Sequence, residues 1–220
     1  MKRVLITGAS GLLGETLVSA ALARGLTVTG QYRHHQPPPR KNCHWLTADF
    51  SDRQGMTSFL EDNGPELSEC RYLIHGYGPI THKDLSELTA TDFCRDFCQN
   101  LVSAVTLSQF LISRASLESA IYIGFEFCGQ DRAYRNILSY AIAKNGLLSL
   151  TRSYAKRFPA IHFNMVSPVT LAGARIKRKG GDAAVAPDIV AATVLEVLLG
   201  RGSGQHHIDR KGRQETADGL

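Results

Sequence analysis

Short apolar runs alternate with longer segments of helical periodicity along the whole chain. RVLITG (Arg3 to Gly8) predicts a first strand, and GETLVSAALARG a helix that ends at Gly25. LTVTGQYR, CHWLTADF, RYLIHGYG, SAIYIGF and IHFNMVSP predict strands two to six. Between them, RQGMTSFLEDNG, TDFCRDFCQNLVSAVTLSQFLISRA and LSYAIAKNGLLSLTRSYAKRF carry helical spacing. PDIVAATVLEVLLG is the last clear helix, with Pro187 near its first turn, and GQHHIDRKG is read as a short closing strand. The prolines of QPPPRKN continue neither element, so that stretch is a loop. Strand-helix alternation on this scale predicts an α/β fold: a Rossmann-type, doubly wound parallel sheet in three α/β/α layers. No repeat and no linker interrupts it, and residues 1–220 are read as one domain.

The punctuation after the first strand adds chemistry. Gly8, Gly11 and Gly14 fall between strand and helix. Bare backbone at a helix N-terminus offers free N–H groups and the positive end of the helix dipole to phosphate. The turn holding Gly8, Ser10, Gly11, Leu12, Leu13 and Gly14 is therefore the candidate dinucleotide cradle. The second strand ends GQYRHH, without the acidic residue that would bind a ribose 2′-hydroxyl. Arg33 in that place would clamp a 2′-phosphate, so NADP(H) is the expected cofactor, with His34 or Lys41 assisting.

Tyr140 and Lys144, four apart in SYAIAK, share one face of the predicted helix. A nearby ammonium stabilises a phenolate, which would lower the tyrosine pKa and improve it as a proton donor.

With these residues in place, the chain resembles the short-chain dehydrogenase/reductase family over nearly its whole length. The resemblance rests on TGASGLLG, ADF (Ala48 to Phe50), Asn100 in CQNLVSA, SYAIAK and VSP (Val166 to Pro168). It implies that Tyr140 donates the proton, that Lys144 binds the nicotinamide ribose and tunes Tyr140, and that Asn100 supports a relay water. It further places Asp49 and Phe50 near the adenine, and Gly76, Pro168 and Thr170 along the cofactor. The resemblance also implies a homodimer or homotetramer built through the long fourth and fifth helical segments.

Some positions depart from the family pattern. Gly11 and Gly14 resemble the spacing of extended members, and Gly76-Tyr77-Gly78 stands where Asn-Ala-Gly is usual. Val169 replaces the common glycine, and IYIGFEFCG has no substrate-orienting serine. Glu126 in that stretch is read either as a surface carboxylate or as a replacement that accepts hydrogen bonds from an amino edge such as a pterin's. Pteridine and dihydromonapterin reductases carry an acid there, and QYRHHQP, ADFSD and LTRSYAKRF resemble the latter group. The expected activity is NADPH-dependent hydride transfer to a C=N or C=O group of a small molecule, a dihydropterin first. The alternatives are a 3-oxoacyl or polyketide ketoreductase and a non-catalytic NADP(H)-binding sensor or scaffold.

Composition changes this picture little. The net charge is +5, with basic runs in RIKRKGG and RKGR. These read as solvated loops, or as attraction for an anionic ligand; without a nucleic-acid motif beside them, a nucleic-acid partner is not expected. RIKRKGG lies in the region that carries a substrate lid in the family. Five cysteines without paired spacing fit a reducing compartment, and Cys94 and Cys98 read as buried thiols rather than metal ligands. The His34-His35 and His206-His207 doublets read likewise, so no metal is expected. MKR followed by apolar residues imitates a secretory signal, but the glycines and Glu15 interrupt it. No stretch approaches the roughly 20 apolar residues of a membrane span, and a cytoplasmic protein is expected.

Overall fold

The computed structural model describes residues 1–114, 117–173 and 184–217. One sheet of eight strands runs through it in the order β3-β2-β1-β4-β5-β6-β7-β8. The strands are β1 (Arg3–Thr7), β2 (Thr27–Tyr32), β3 (Cys43–Thr47), β4 (Cys70–His75), β5 (Ser119–Ile123), β6 (His162–Pro168), β7 (Gly204–Ile208) and β8 (Gln214–Ala217). β1 to β7 are parallel, and β8 folds back antiparallel on β7. The order reverses between β1 and β4, which opens a crevice beyond their carboxyl ends.

The helices are α1 (Leu12–Ala23), α2 (Arg53–Leu67), α3 (Ala90–Phe97), α4 (Ser103–Arg114), α5 (Leu138–Arg157) and α6 (Pro187–Leu199). On one face of the sheet, Leu17, Val18 and Ala21 of α1 and Val190, Val194 and Leu198 of α6 pack with Val4, Ile6 and Ile74. On the other, Phe59, Leu107, Leu111 and Leu147 from α2, α4 and α5 cover Leu5, Leu73 and Tyr122. Each fully buried leucine contributes about 2 kcal/mol by leaving water.

Three elements differ from the sequence expectation. α2 runs past Gly64 and Pro65 to Leu67. The proline lacks only one backbone donor, and the extra turn seats Leu67 fully in the core. β8 escaped notice because it is four residues long and carries one apolar residue. Its hairpin turn is closed by Asp209, whose carboxylate accepts from the Lys211 and Arg213 amides.

The third difference bears on the site. The long helical segment from 90 to 114 is α3 and α4 joined by a π turn, Cys98–Val102. Buried positions recur every four residues here: Asp92, Asp96, Asn100, Ala104 and Ser108. An α-helix would drift about 40° at each such step, and the wider π turn absorbs the drift. The face bearing the Asn100 side chain thus stays inward.

Candidate active site

The phosphate cradle forms as its residues require. Gly8 has φ +67°, and a Cβ on Gly14 would lie 2.1 Å from the Gly8 carbonyl oxygen. Only glycines let α1 start this close under β1. Gly11 caps α1 without any side-chain bond, so the first-turn amides around Leu12 and Leu13 remain available to an anion. Ser10 is half-buried beside them, and Leu12 is exposed at the rim. Gln31 fixes the turn: its Oε1 accepts from the Gly8 amide at 2.9 Å, and its Nε2 donates to the Ala48 carbonyl at 2.7 Å. These residues fit a pyrophosphate.

Arg33 lies just past the end of β2 with its guanidinium partly in solvent. It meets Tyr77, which the sequence reading left without a role. Arg33 Nη1 approaches the Tyr77 hydroxyl at 3.5 Å, and that hydroxyl donates to Asp49 Oδ1 at 3.2 Å. The Arg33–Asp49 pair itself spans 3.9 Å. His34 and Lys41 are exposed. The Phe50 ring is 1% exposed and lies edge-on between Phe59 and Tyr77 in the core, so only its backbone is left to face a ligand. Tyr77 is the aromatic residue of this corner, and its place between two glycines was the signal for it.

The candidate catalytic residues assemble at the ends of β4 and β5. Tyr140 and Lys144 sit one turn apart on α5, both buried. Lys144 Nζ lies 5.6 Å from the Tyr140 ring centroid and donates to the Ile123 carbonyl at 2.9 Å. Asn100 donates from Nδ2 to the carbonyls of Asp96 (3.1 Å) and Pro79 (3.2 Å). Both bonds use the amide nitrogen, and the buried Oδ1 is left without a partner among the described residues. A Cβ on Gly78 would lie 2.5 Å from that oxygen and 2.6 Å from Lys144 Nζ. The missing side chain therefore lets the Asn100 oxygen and the Lys144 ammonium both pack against the Gly78 backbone, where no β-carbon could stand.

The expected tuning of Tyr140 is not what this arrangement gives. Burial, then the Cys128 thiol and the Asp96 carboxylate nearby, push the phenol well above its usual range. Burial also pulls Lys144 down to about 8. Behind it, His75 is fully buried and pulled down to about 3 by desolvation, with Lys144 adding to the effect. The Ser103 hydroxyl donates to the Gln99 carbonyl, so it accepts from His75 Nε2, and Thr7 donates to Nδ1. That chain ties the π turn to β1 through a neutral imidazole, its tautomer assigned from these bonds.

The segment after β5 replaces the missing serine with aromatic surface. Phe125 lies edge-on to Tyr140, with ring centroids 5.5 Å apart, and meets Phe127 at 6.0 Å and Tyr134 at 5.9 Å. Glu126 is half-buried between the two phenylalanines. Gly76 follows β4 against the Thr7 carbonyl. Pro168 ends β6, and Thr170 accepts from the Val185 amide through its carbonyl. Residues 174–183, with the basic RIKRKGG run, lie outside the described residues. All five cysteines are free, but Cys94 is exposed and Cys98 half-buried, against the expectation of buried thiols. They lie on the outer side of the helical segment whose inner side holds Asp96 and Asn100. No group of three metal-ligating side chains occurs among the described residues.

A parallel sheet with a glycine cradle after its first strand, and a Tyr-Lys-Asn group at its strand ends, defines a dinucleotide-binding protein of the Rossmann class. The chain belongs to the NAD dependent epimerase/dehydratase family, which it matches over residues 4–209. It is 24% identical over 164 residues to the oxidoreductase YvrD of Bacillus subtilis (strain 168); the match covers 70% of this chain and 62% of YvrD. Among solved structures, it is similar to a short chain dehydrogenase of Leptospira borgpetersenii with bound NAD+ (TM-score 0.80, 19% identity, 95% of this chain and 91% of that one). It is also similar to a Bacillus thuringiensis protein assigned as a 3-oxoacyl-reductase (TM-score 0.78, 19% identity, 94% and 96%). The shared fold is that of the short-chain dehydrogenases. None of the described helices is long and apolar enough to cross a membrane.

Proposed function

We propose that the protein is an NADPH-dependent reductase acting on a C=N or C=O group, with a dihydropterin as its substrate. The observation that carries this reading is that Asn100 Oδ1 and Lys144 Nζ meet at Gly78, with the Tyr140 ring 5.6 Å from that ammonium. When bound, the nicotinamide supplies a hydride. The chain supplies position and the proton. The backbone of Gly8 to Gly14 holds the pyrophosphate, and Arg33 clamps the 2′-phosphate. Lys144 Nζ binds the ribose hydroxyls, and Asn100 Oδ1 accepts from a water. Tyr140 gives its proton to the nitrogen or oxygen next to the carbon that takes hydride. One C–H and one N–H or O–H bond form as the double bond is consumed, and water returns a proton to the phenolate.

The aromatic wall of Phe125, Phe127 and Tyr134 supports a flat ring as substrate, since stacked or edge-on rings gain about 0.5–1.5 kcal/mol beyond area burial. Glu126 in that wall supplies the acceptor for a pterin's amino edge. Turnover of a dihydropterin with NADPH, lost in Glu126→Ala while NADPH still binds, is the expected result. Turnover of a β-keto thioester instead would assign the ketoreductase reading, which the likeness to the Bacillus thuringiensis protein favours. Function retained in Tyr140→Phe would assign the sensor reading, which the missing serine favours.

The same proposal includes a homo-oligomer. Val102 and Ile142 are 37% and 42% exposed on the helical segments the resemblance assigns to subunit contact, and light scattering of the purified chain tests it.

A further inference from the structure

We propose that His75 is a positioning residue with two separable arms: through Thr7 it holds the loop after β4 at the cofactor corner, and through Ser103 it holds open the π turn that presents Asn100. The inference rests on the reading of this site as a cofactor-binding reductase centre.

His75 ends β4 and is fully buried. Leu73, two residues earlier on the same face of the strand, packs into the apolar layer under α4. A leucine in that layer needs no partner, whereas an imidazole needs one at each ring nitrogen. Thr7 Oγ1 lies 3.0 Å from Nδ1, and Ser103 Oγ lies 3.3 Å from Nε2.

Each of these hydroxyls already has a backbone partner. Thr7 Oγ1 accepts from the Tyr77 amide at 3.1 Å, and the Ser103 hydroxyl donates to the Gln99 carbonyl at 2.9 Å. What the ring adds is the join between them. The bonds run in one direction: Tyr77 amide to Thr7, Thr7 to Nδ1, Nε2 to Ser103, and Ser103 to the Gln99 carbonyl. Only a neutral ring supports that direction, and burial, with Lys144 nearby, keeps it neutral.

Both ends of the chain fall at the site. The Ser103 amide reaches back five residues to the Cys98 carbonyl, not four to Gln99. Its hydroxyl takes the Gln99 carbonyl instead, and His75 props that hydroxyl from the sheet side. Asn100 is the next residue, and its Nδ2 is held by the Asp96 and Pro79 carbonyls. At the other end, Thr7 leads directly into Gly8 of the cradle. The amide it holds belongs to Tyr77, whose hydroxyl meets Asp49 and Arg33. Neighbouring groups do not make this join. Lys144 donates to the Ile123 carbonyl, and neither bond of Asn100 Nδ2 reaches β1.

Two substitutions divide the ring between them. In His75→Asn the side-chain oxygen stands near the place of Nδ1 and still accepts from Thr7, but nothing reaches Ser103. In His75→Gln the side-chain nitrogen stands near the place of Nε2 and still donates to Ser103, but nothing accepts from Thr7. Amide hydrogen exchange of the full chain reads the arms without cofactor or substrate. His75→Asn should speed exchange at residues 99–103 about tenfold more than at residues 76–78, and His75→Gln should do the reverse. Turnover and NADPH titration should split the same way. The first variant should lose about tenfold in kcat with little change in NADPH affinity, and the second about tenfold in NADPH affinity with little change in kcat. Ser103→Ala and Thr7→Val cut the two arms at their far ends. They should reproduce the respective patterns, and they keep the test open if a histidine variant does not fold. Exchange accelerated evenly across the chain in both variants, or unchanged in both, would reduce His75 to a core residue and overturn the proposal. A split in exchange from a parent that turns over nothing would fault the reductase reading and leave this inference standing.

Discussion

Tyr77 donates its hydroxyl hydrogen to Asp49 Oδ1 across 3.2 Å, and so binds the loop after β4 to the loop after β3 at the corner where Arg33 emerges. This contact gives the arginine a neighbour at once neutral and hydrogen-bonding. It also brings a carboxylate within 3.9 Å of the guanidinium. The acid moderates the arginine's charge, and the phenol lies between them.

Arg33→Ala should therefore weaken NADPH binding by about 10- to 100-fold, the value of charge-assisted hydrogen bonds to a phosphate, and leave NADH binding nearly unchanged. Tyr77→Phe should preserve the ring's contact with Phe50 while freeing Asp49, and should weaken NADPH several-fold. Fluorescence titration with both cofactors reads the two effects. Equal losses for NADPH and NADH would refute the assignment of Arg33 to the 2′-phosphate.

Gly78→Ala should cost about 100-fold in turnover without unfolding the chain. Its Cβ would lie within 2.6 Å of both Asn100 Oδ1 and Lys144 Nζ and would displace them. Displacements of about 1 Å near reacting groups have effects of that order. Turnover compared with the far-ultraviolet spectrum and melting point is the measurement, and near-normal turnover would show that their placement is not needed.

Lys144→Met should stabilise the protein at neutral pH by about 1–2 kcal/mol while abolishing turnover. Burial lowers Lys144 from 10.5 to about 8, so charging it in the fold costs about 3 kcal/mol. Leaving the Ile123 carbonyl without its donor returns roughly 1–2 kcal/mol of that. Between about 8 and 10.5 the unfolded chain keeps the lysine proton that the folded chain has released, so the parent gains stability as pH rises. The advantage of the methionine must therefore shrink across that window. Urea melts of both proteins at neutral pH and near pH 10 check the sign, and a constant difference would refute it.

The features legible in the sequence were those with a short, regular signature. Seven strands follow from apolar runs, the cradle from three glycines in one turn, and Tyr140 with Lys144 from a four-residue interval. The π turn left no such mark. Its cause, buried positions every four residues from Asp92 to Ser108, is visible only once burial is known. The motif located Phe50 along the chain but not the direction of its ring, which turns into the core. Asp96 was silent for the opposite reason: an aspartate in a charged helix looks solvated until the fold brings Thr81 and Ser139 over it. The lowering of the phenol's pKa by Lys144 was a fair inference from spacing. It failed because spacing says nothing of how deeply the phenol is buried, and burial raises its pKa.

The widened turn at Cys98–Val102 also constrains how this segment can change. The turn carries one residue more than an ordinary helical turn, and its lower twist takes up that residue without rotating α4 against α3. Leu107 and Leu111 therefore keep their seats while Asp96 and Asn100 keep theirs. The length of this stretch is as much a part of the site as any side chain.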